Sequence, residues 1–192
     1  MTAALYKQKL LDDLYRHYST TPNALIKFPG SRTIVFGEGS ADAKLMFIGE
    51  GPGQEEDRLG RPFVGRSGQL LNKLLEIAGL SREEVYIANI VKTRPPNNRK
   101  PLPDEIIFSM PLLMKQIEII KPKLICTLGS SALQGFTQES VAITKVRGKI
   151  ITINELHIMP TYHPAYILRN PKELKALAGD VLSASKYAKS DQ

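Results

Sequence analysis

Three separated stretches of this chain carry side chains whose types and setting could do chemistry. The first, GEGPGQEEDRLGRPFVGRSG over 49–68, sets closely spaced glycines beside four acidic side chains and one aromatic, Phe63. It matches neither the phosphate-cradling GxxxxGK[ST] pattern nor GxGxxG with its helix, which disfavours the usual mononucleotide and dinucleotide folds. The carboxylates lack further ligands at metal-binding spacing, so no metal is expected. The second stretch, ANIVKTRPPNNRKPLPDE over 88–105, places Asn89 in an apolar run, where a carboxamide is costly unless it has partners. Such a residue fits a reader of a base edge, and equally a structural amide tying two loops together. The third, TYHPAYILRNP over 161–171, holds His163 between an apolar run and a proline, where it can donate to an oxygen that gains charge. Taken alone, His163 also fits a structural role, and His17 and His157 lack any such context.

The charge balance names a partner class. Lysine and arginine number 26 against 19 acidic residues, a formal charge of +7, and the isoelectric point lies near 9.5. That excess favours polyanions, nucleic acid first and anionic membrane second. No apolar run reaches the roughly 20 residues of a spanning helix, so the membrane reading is weak. Lys92, Arg94, Arg99 and Lys100 crowd one proline-stiffened loop, as a phosphate-contacting rim does, the plain alternative being a solvated charge run. A single cysteine and the lack of an apolar N-terminal core with a cleavage site point to a reducing cytoplasm.

These residues need elements to position them. Leu10, Leu11 and Leu14 predict an amphipathic helix over 5–18, and the apolar run at 44–49 predicts a buried strand that stops at glycine. A long loop follows, and then Ser67 is placed to cap a helix whose face is Leu70, Leu71, Leu74, Leu75 and Ala78, closed by Gly79. Further strands are expected at 85–91, 124–128, 149–153 and 158–161. Helices are expected over 103–120, kinked or split at Pro111, after Ser130, and over 172–187. Alternating apolar strands and helices argue for a parallel sheet covered on both faces, and 192 residues suit one domain, 1–192. In such a sheet ligands gather beyond the carboxyl ends of the strands, where all three chemical stretches fall.

Together GEGPGQEED, GRPFVG, ANIVKTRPPNNR, ITKVRGK (143–149) and HPAYILRNP resemble the uracil-DNA glycosylase superfamily, specifically its family 4, the iron-sulfur type. The match runs from about Thr33 to Pro171 with the motifs in family order. The resemblance implies an α/β three-layer sandwich with a central four-stranded parallel sheet. It also implies a substrate, uracil flipped out of DNA, because a base inside the stack is out of reach. By motif position, Phe63 stacks on the uracil, Asn89 pairs with its Watson-Crick edge, and His163 faces O2. Uracil selection then requires neighbours that lock the Asn89 amide in one orientation. Glu50 is the first choice to steady the sugar cation and hold the attacking water, with backbone amides around Gly51 helping the departing anion. Glu56 is the second candidate for the water, or a wall against the thymine methyl. Arg66, Arg94, Arg99 and Arg169 are expected on DNA, with Ile167 or Leu168 wedged into the gap left by the base, or packed in the core instead.

The sequence departs from that family in its cysteines. Members typically hold a cluster on four of them. Here the last two positions are Thr93 and Ser109, the first two fall near Pro22 and Leu25, and the one cysteine, Cys126, lies inside an apolar run. No iron-sulfur cofactor is therefore expected. Packing by residues such as Tyr6, Leu10, Leu14, Leu25, Ile26 and Phe28 is expected to fix the loop 93–109 in its place. A cluster-free relative that bonds covalently to DNA uses a histidine in this loop, and none lies between His17 and His157. The expectation is a monomeric glycosylase acting on uracil-containing DNA in a prokaryotic cytoplasm, at the nucleoid, with no membrane partner. The alternative is a non-catalytic DNA-binding or polymerase-associated module on the same fold, for which the missing cysteines are a symptom of decay.

Overall fold

The structure is a computed structural model and describes residues 2–21 and 28–190. The elements, in chain order, begin with α1 (Ala3–Thr20), β1 (Glu38–Gly39), β2 (Leu45–Gly49), α2 (Gln54–Leu59), α3 (Arg66–Ile77) and β3 (Tyr86–Asn89). They continue with α4 (Pro103–Ile120), β4 (Leu124–Leu128), α5 (Ser130–Thr137), α6 (Ile143–Val146), β5 (Ile151–Ile153), β6 (Leu156–Thr161), α7 (Pro164–Arg169) and α8 (Leu174–Lys189). The strands form one sheet in the order β1-β3-β2-β4-β6-β5. The four central strands run parallel, as expected, and two short antiparallel strands, β1 and β5, add an edge on each side.

Why the sheet is buried follows from its residues. LMFIG in β2 and LICTL in β4 are buried at every position, which a strand can be only when helices cover both of its faces. Leu45, Phe47, Ile87, Cys126 and Met159 face one layer, with Leu71, Leu74 and Leu75 of α3 and Leu177, Val181 and Ala184 of α8. Met46, Ile48, Tyr86, Ile125 and Ile158 face the other, with Leu113, Ile117 and Ile120 of α4, Leu133 and Phe136 of α5, and Leu11 of α1. The result is the three-layer α/β sandwich. Pro111 neither splits nor ends α4; it lies on the exposed side, as does Ile107, whose carbonyl its missing N–H leaves free to face solvent.

Two local expectations need correction. α3 begins after Gly65, two residues before Ser67, and the segment taken as one long loop contains α2, whose acidic first turn suits a helix N-terminus.

The register sets up everything that follows. Gly49 lies opposite Asn89, Ile48 opposite Thr127, and Leu128 opposite Thr161. The parallel strands therefore end level. From β2 the chain crosses to β3 on one side and then returns past β2 to β4, so the segments leaving β2 and β4 diverge and a crevice opens between them.

Candidate active site

That crevice is a cleft of about 800 Å³, lined among others by Glu50, Gly51, Glu56, Phe63, Asn89 and His163. Residues from three distant stretches thus meet in one place. Asn89 is 1% exposed, and its Oδ1 is buried without a hydrogen-bond partner. An unpaired acceptor costs free energy in the folded chain, so an oxygen left bare in a cleft is one that a ligand can satisfy. Phe63 and His163 flank the same space with ring centroids 5.6 Å apart. Gly49 makes the slot possible: a Cβ there would lie 2.5 Å from both Asn89 Oδ1 and Phe63 Cζ.

Phe63 sits in a left-handed conformation (φ 50°) that a side chain bearing a Cβ adopts only under constraint. The constraint comes from two sides. Glu56 Oε1 accepts from the amides of Val64 and Gly65 at 2.9 and 2.8 Å, while Oε2 accepts from Gly53 at 3.2 Å. On the other side Arg82 donates to the carbonyls of Pro62 (2.7 Å) and Phe63 (2.9 Å) and to Asn72 Oδ1 (2.8 Å), and is itself paired with Glu38. Gly68 completes the frame, since a Cβ there would lie 1.8 Å from the Phe63 carbonyl oxygen. Arg82 has no motif around it, and nothing in the sequence marks it. Replacing Arg82 with Met should lower stability by about 2–4 kcal/mol, because the carbonyls of Pro62 and Phe63 lose this donor together and Glu38 keeps only Arg61. A shift in the urea midpoint reads this directly.

His163 begins α7, and its Nδ1 accepts from the Ala165 amide at 3.0 Å. An amide can only donate, so Nδ1 carries the lone pair and the proton of the neutral ring resides on Nε2. Burial, and after it the positive charge of Arg169, lowers the imidazole pKa to about 4. At neutral pH the ring is an uncharged donor. The strand before it is anchored by Asp180, which takes Arg147 Nε at 3.0 Å and the Thr161 hydroxyl.

The basic residues divide. Arg66, Arg99 and Arg169 line the cleft and are exposed. Arg94 is turned to Asn98, its Nε 2.8 Å from Oδ1, and does not line the cleft. Lys92 is no part of a rim: it is 1% exposed, inside the protein. Ile167, at 3% exposure, packs in the core and cannot serve as a wedge, whereas Leu168 stands 39% exposed beside it.

The donor set does not fit an iron-sulfur cluster. Thr93 and Ser109 are buried hydroxyl residues, and Ser109 Oγ donates to the Glu105 carbonyl at 2.8 Å. Cys126 lies in β4 with its thiol pKa raised by burial. The other two cluster positions, near Pro22 and Leu25, fall outside the described residues. Among those described, no group of three or more His, Cys, Asp or Glu is arranged to hold a metal ion.

A family model described as "Uracil DNA glycosylase superfamily" matches residues 36–182. Among curated proteins the chain is similar to a type-4 uracil-DNA glycosylase of Thermotoga maritima, 48% identical over 82% of this chain and 84% of that one. A type-4 uracil-DNA glycosylase of Saccharolobus solfataricus is 49% identical over 78% of this chain and 73% of its own.

Proposed function

Because this chain belongs to the uracil-DNA glycosylase superfamily, and within it to the type-4 enzymes, we propose that its cleft binds a uracil flipped out of DNA and hydrolyses the N-glycosidic bond. It is a DNA-repair hydrolase that excises uracil. The observation that carries the site assignment is the buried, unpartnered Asn89 Oδ1 in a cleft that Phe63 and His163 also line.

In this reading Phe63 stacks on the base, Asn89 Oδ1 accepts from N3–H, and its Nδ2 donates to O4. Cytosine presents the reverse pattern, an acceptor at N3 and a donor at C4, so it leaves both atoms of the amide mispaired. When the bond breaks, its electron pair passes to uracil N1 and charge spreads to O2. His163 Nε2–H donates there, helped by backbone amides around Gly51, which also lines the cleft. Glu50, on the cleft wall, faces the cationic sugar, holds the water that adds to C1′ and accepts the proton that water loses. Glu56 keeps the slot in shape rather than the water, since both its oxygens already serve main-chain amides. Arg66, Arg99 and Arg169 meet phosphates, and Leu168 fills the gap in the stack.

The chain does this without a cluster, as a monomer and a single domain over 1–192, on DNA in a prokaryotic cytoplasm. The loop 93–109 has another tie to the N-terminal segment: the Arg99 guanidinium, paired within the loop to Glu105 at 2.7 Å, lies 5.4 Å from the centre of the Phe28 ring. Stoichiometric iron in the purified protein would reject the cluster-free reading.

The direct test incubates the protein with uracil-containing oligonucleotides, treats them with alkali and looks for strand breaks at the uracil. No breaks above background would favour a DNA-binding module. Gly49→Ala should cost at least about 100-fold in single-turnover excision, because the added methyl enters the slot between Asn89 and Phe63. An active Gly49→Ala enzyme would place the base elsewhere.

A further inference from the structure

The locking of the Asn89 amide by neighbours is not met at the side chain: its Oδ1 has no partner. What holds Asn89 lies behind it. Lys92 Nζ donates to the Asn89 carbonyl at 2.8 Å and to Gln116 Oε1 in α4 at 2.7 Å. Gln116 is 0% exposed and in turn donates through Nε2 to the Phe36 carbonyl at 3.0 Å and to the Tyr86 hydroxyl at 3.1 Å. Tyr86 belongs to the core layer under α4, while the Asn89 side chain shares the opposite face of the sheet with Gly49 and Phe63. Lys92 therefore grips the main chain of Asn89 from the layer away from the cleft.

We infer that Lys92 is a positioning residue of the uracil site, fixing the end of β3 against α4 so that the Asn89 carboxamide meets the base in one place. The inference rests on the function proposed above. Its physical ground is the cost of the arrangement. A methionine of similar length would fill the same space with no ammonium to desolvate. Burial draws the Lys92 pKa down to about 7, and among the described residues no carboxylate pairs with it. Among the described residues, the groups that meet its Nζ are the Asn89 carbonyl and the Gln116 carboxamide, with the neutral Tyr86 hydroxyl one hydrogen bond further on. What the nitrogen supplies is the bridge between these two acceptors, and one of them belongs to the residue that reads the base.

The test compares wild type, Lys92→Met and Gln116→Leu, each assayed well below its melting temperature so that all the enzyme is folded. For Lys92→Met the maximal single-turnover rate on a uracil-containing oligonucleotide should fall about 10- to 50-fold, as sub-ångström misplacement of a recognition group does. The enzyme concentration giving half that rate should stay within about threefold, because DNA contacts lie elsewhere. Inhibition by free uracil should weaken in parallel with the rate. Gln116→Leu, which keeps the lysine but removes its second anchor, should show the same split to a smaller degree, and it decides the matter if Lys92→Met does not fold. Variants whose folded enzyme matches wild type in rate and in uracil inhibition overturn the inference and leave the glycosylase reading intact. A wild-type protein that releases no uracil overturns both. Equal losses of rate and DNA affinity would mark Lys92 as a general structural residue and also overturn it.

Discussion

Asn89→Ala should reduce single-turnover excision of uracil by about 1,000-fold while leaving affinity for uracil-free DNA nearly unchanged. The size comes from what the carboxamide supplies. One preorganised hydrogen bond aimed at developing charge is worth about 100- to 1,000-fold in rate, and Asn89 offers two contacts to the base, one of which strengthens as charge reaches O4. The same substitution should not weaken the fold. Oδ1 has no partner within the protein, so its removal deletes a buried unsatisfied acceptor, and stability should stay level or rise by up to about 1 kcal/mol. Loss of activity with no loss of stability is the mark of a residue kept for binding. If Asn89→Ala instead unfolds at lower urea and excises uracil at the wild-type rate per folded molecule, the amide is structural and the base is read by another group.

How far the site was legible depends on whether its signal was local. Asn89 was visible because a carboxamide in an apolar run is conspicuous whatever surrounds it, and His163 because a proline follows it. The strand 124–128 was visible for the same reason: five apolar or small residues between a proline-lysine turn and a glycine. Lys92 carries the same signal as Asn89, but a lysine two positions before Arg94 reads in sequence as part of a basic rim or a solvated charge run. What decides its place is Gln116, supplied by a helix from the far side of the sheet. α2 was hidden because it has six residues, one of them buried, so no apolar periodicity announces it. It is held by the Glu56 carboxylate acting on amides eight and nine residues away. Arg82 was illegible in principle: its five donors find carbonyls and carboxylates only once the chain has folded.

His163→Ala should lower the excision rate by about 100- to 1,000-fold at neutral pH, the cost of one donor at the oxygen that gains charge. The pH profile separates this role from that of a charged acid. With the pKa held near 4 by burial and by Arg169, the ring is neutral over the working range, so the wild-type rate should show no histidine inflection between pH 5.5 and 8. An imidazolium mechanism would instead give a rate falling as pH rises through the ordinary histidine range. Stability carries the same information with its own sign. The unfolded chain takes up this proton below about 6.5 and the folded chain only near 4, so the folded state loses stability as pH falls across that window, by about 2–3 kcal/mol once partial exposure is allowed for. His163→Ala should flatten that part of the urea-midpoint profile. Protonation is resisted structurally as well, because a proton on Nδ1 would oppose the Ala165 amide that now donates to it. The bond that sets the tautomer therefore also keeps the ring uncharged, and it hands Nε2–H to the base in the one state that can stabilise a leaving uracil anion without first becoming a cation.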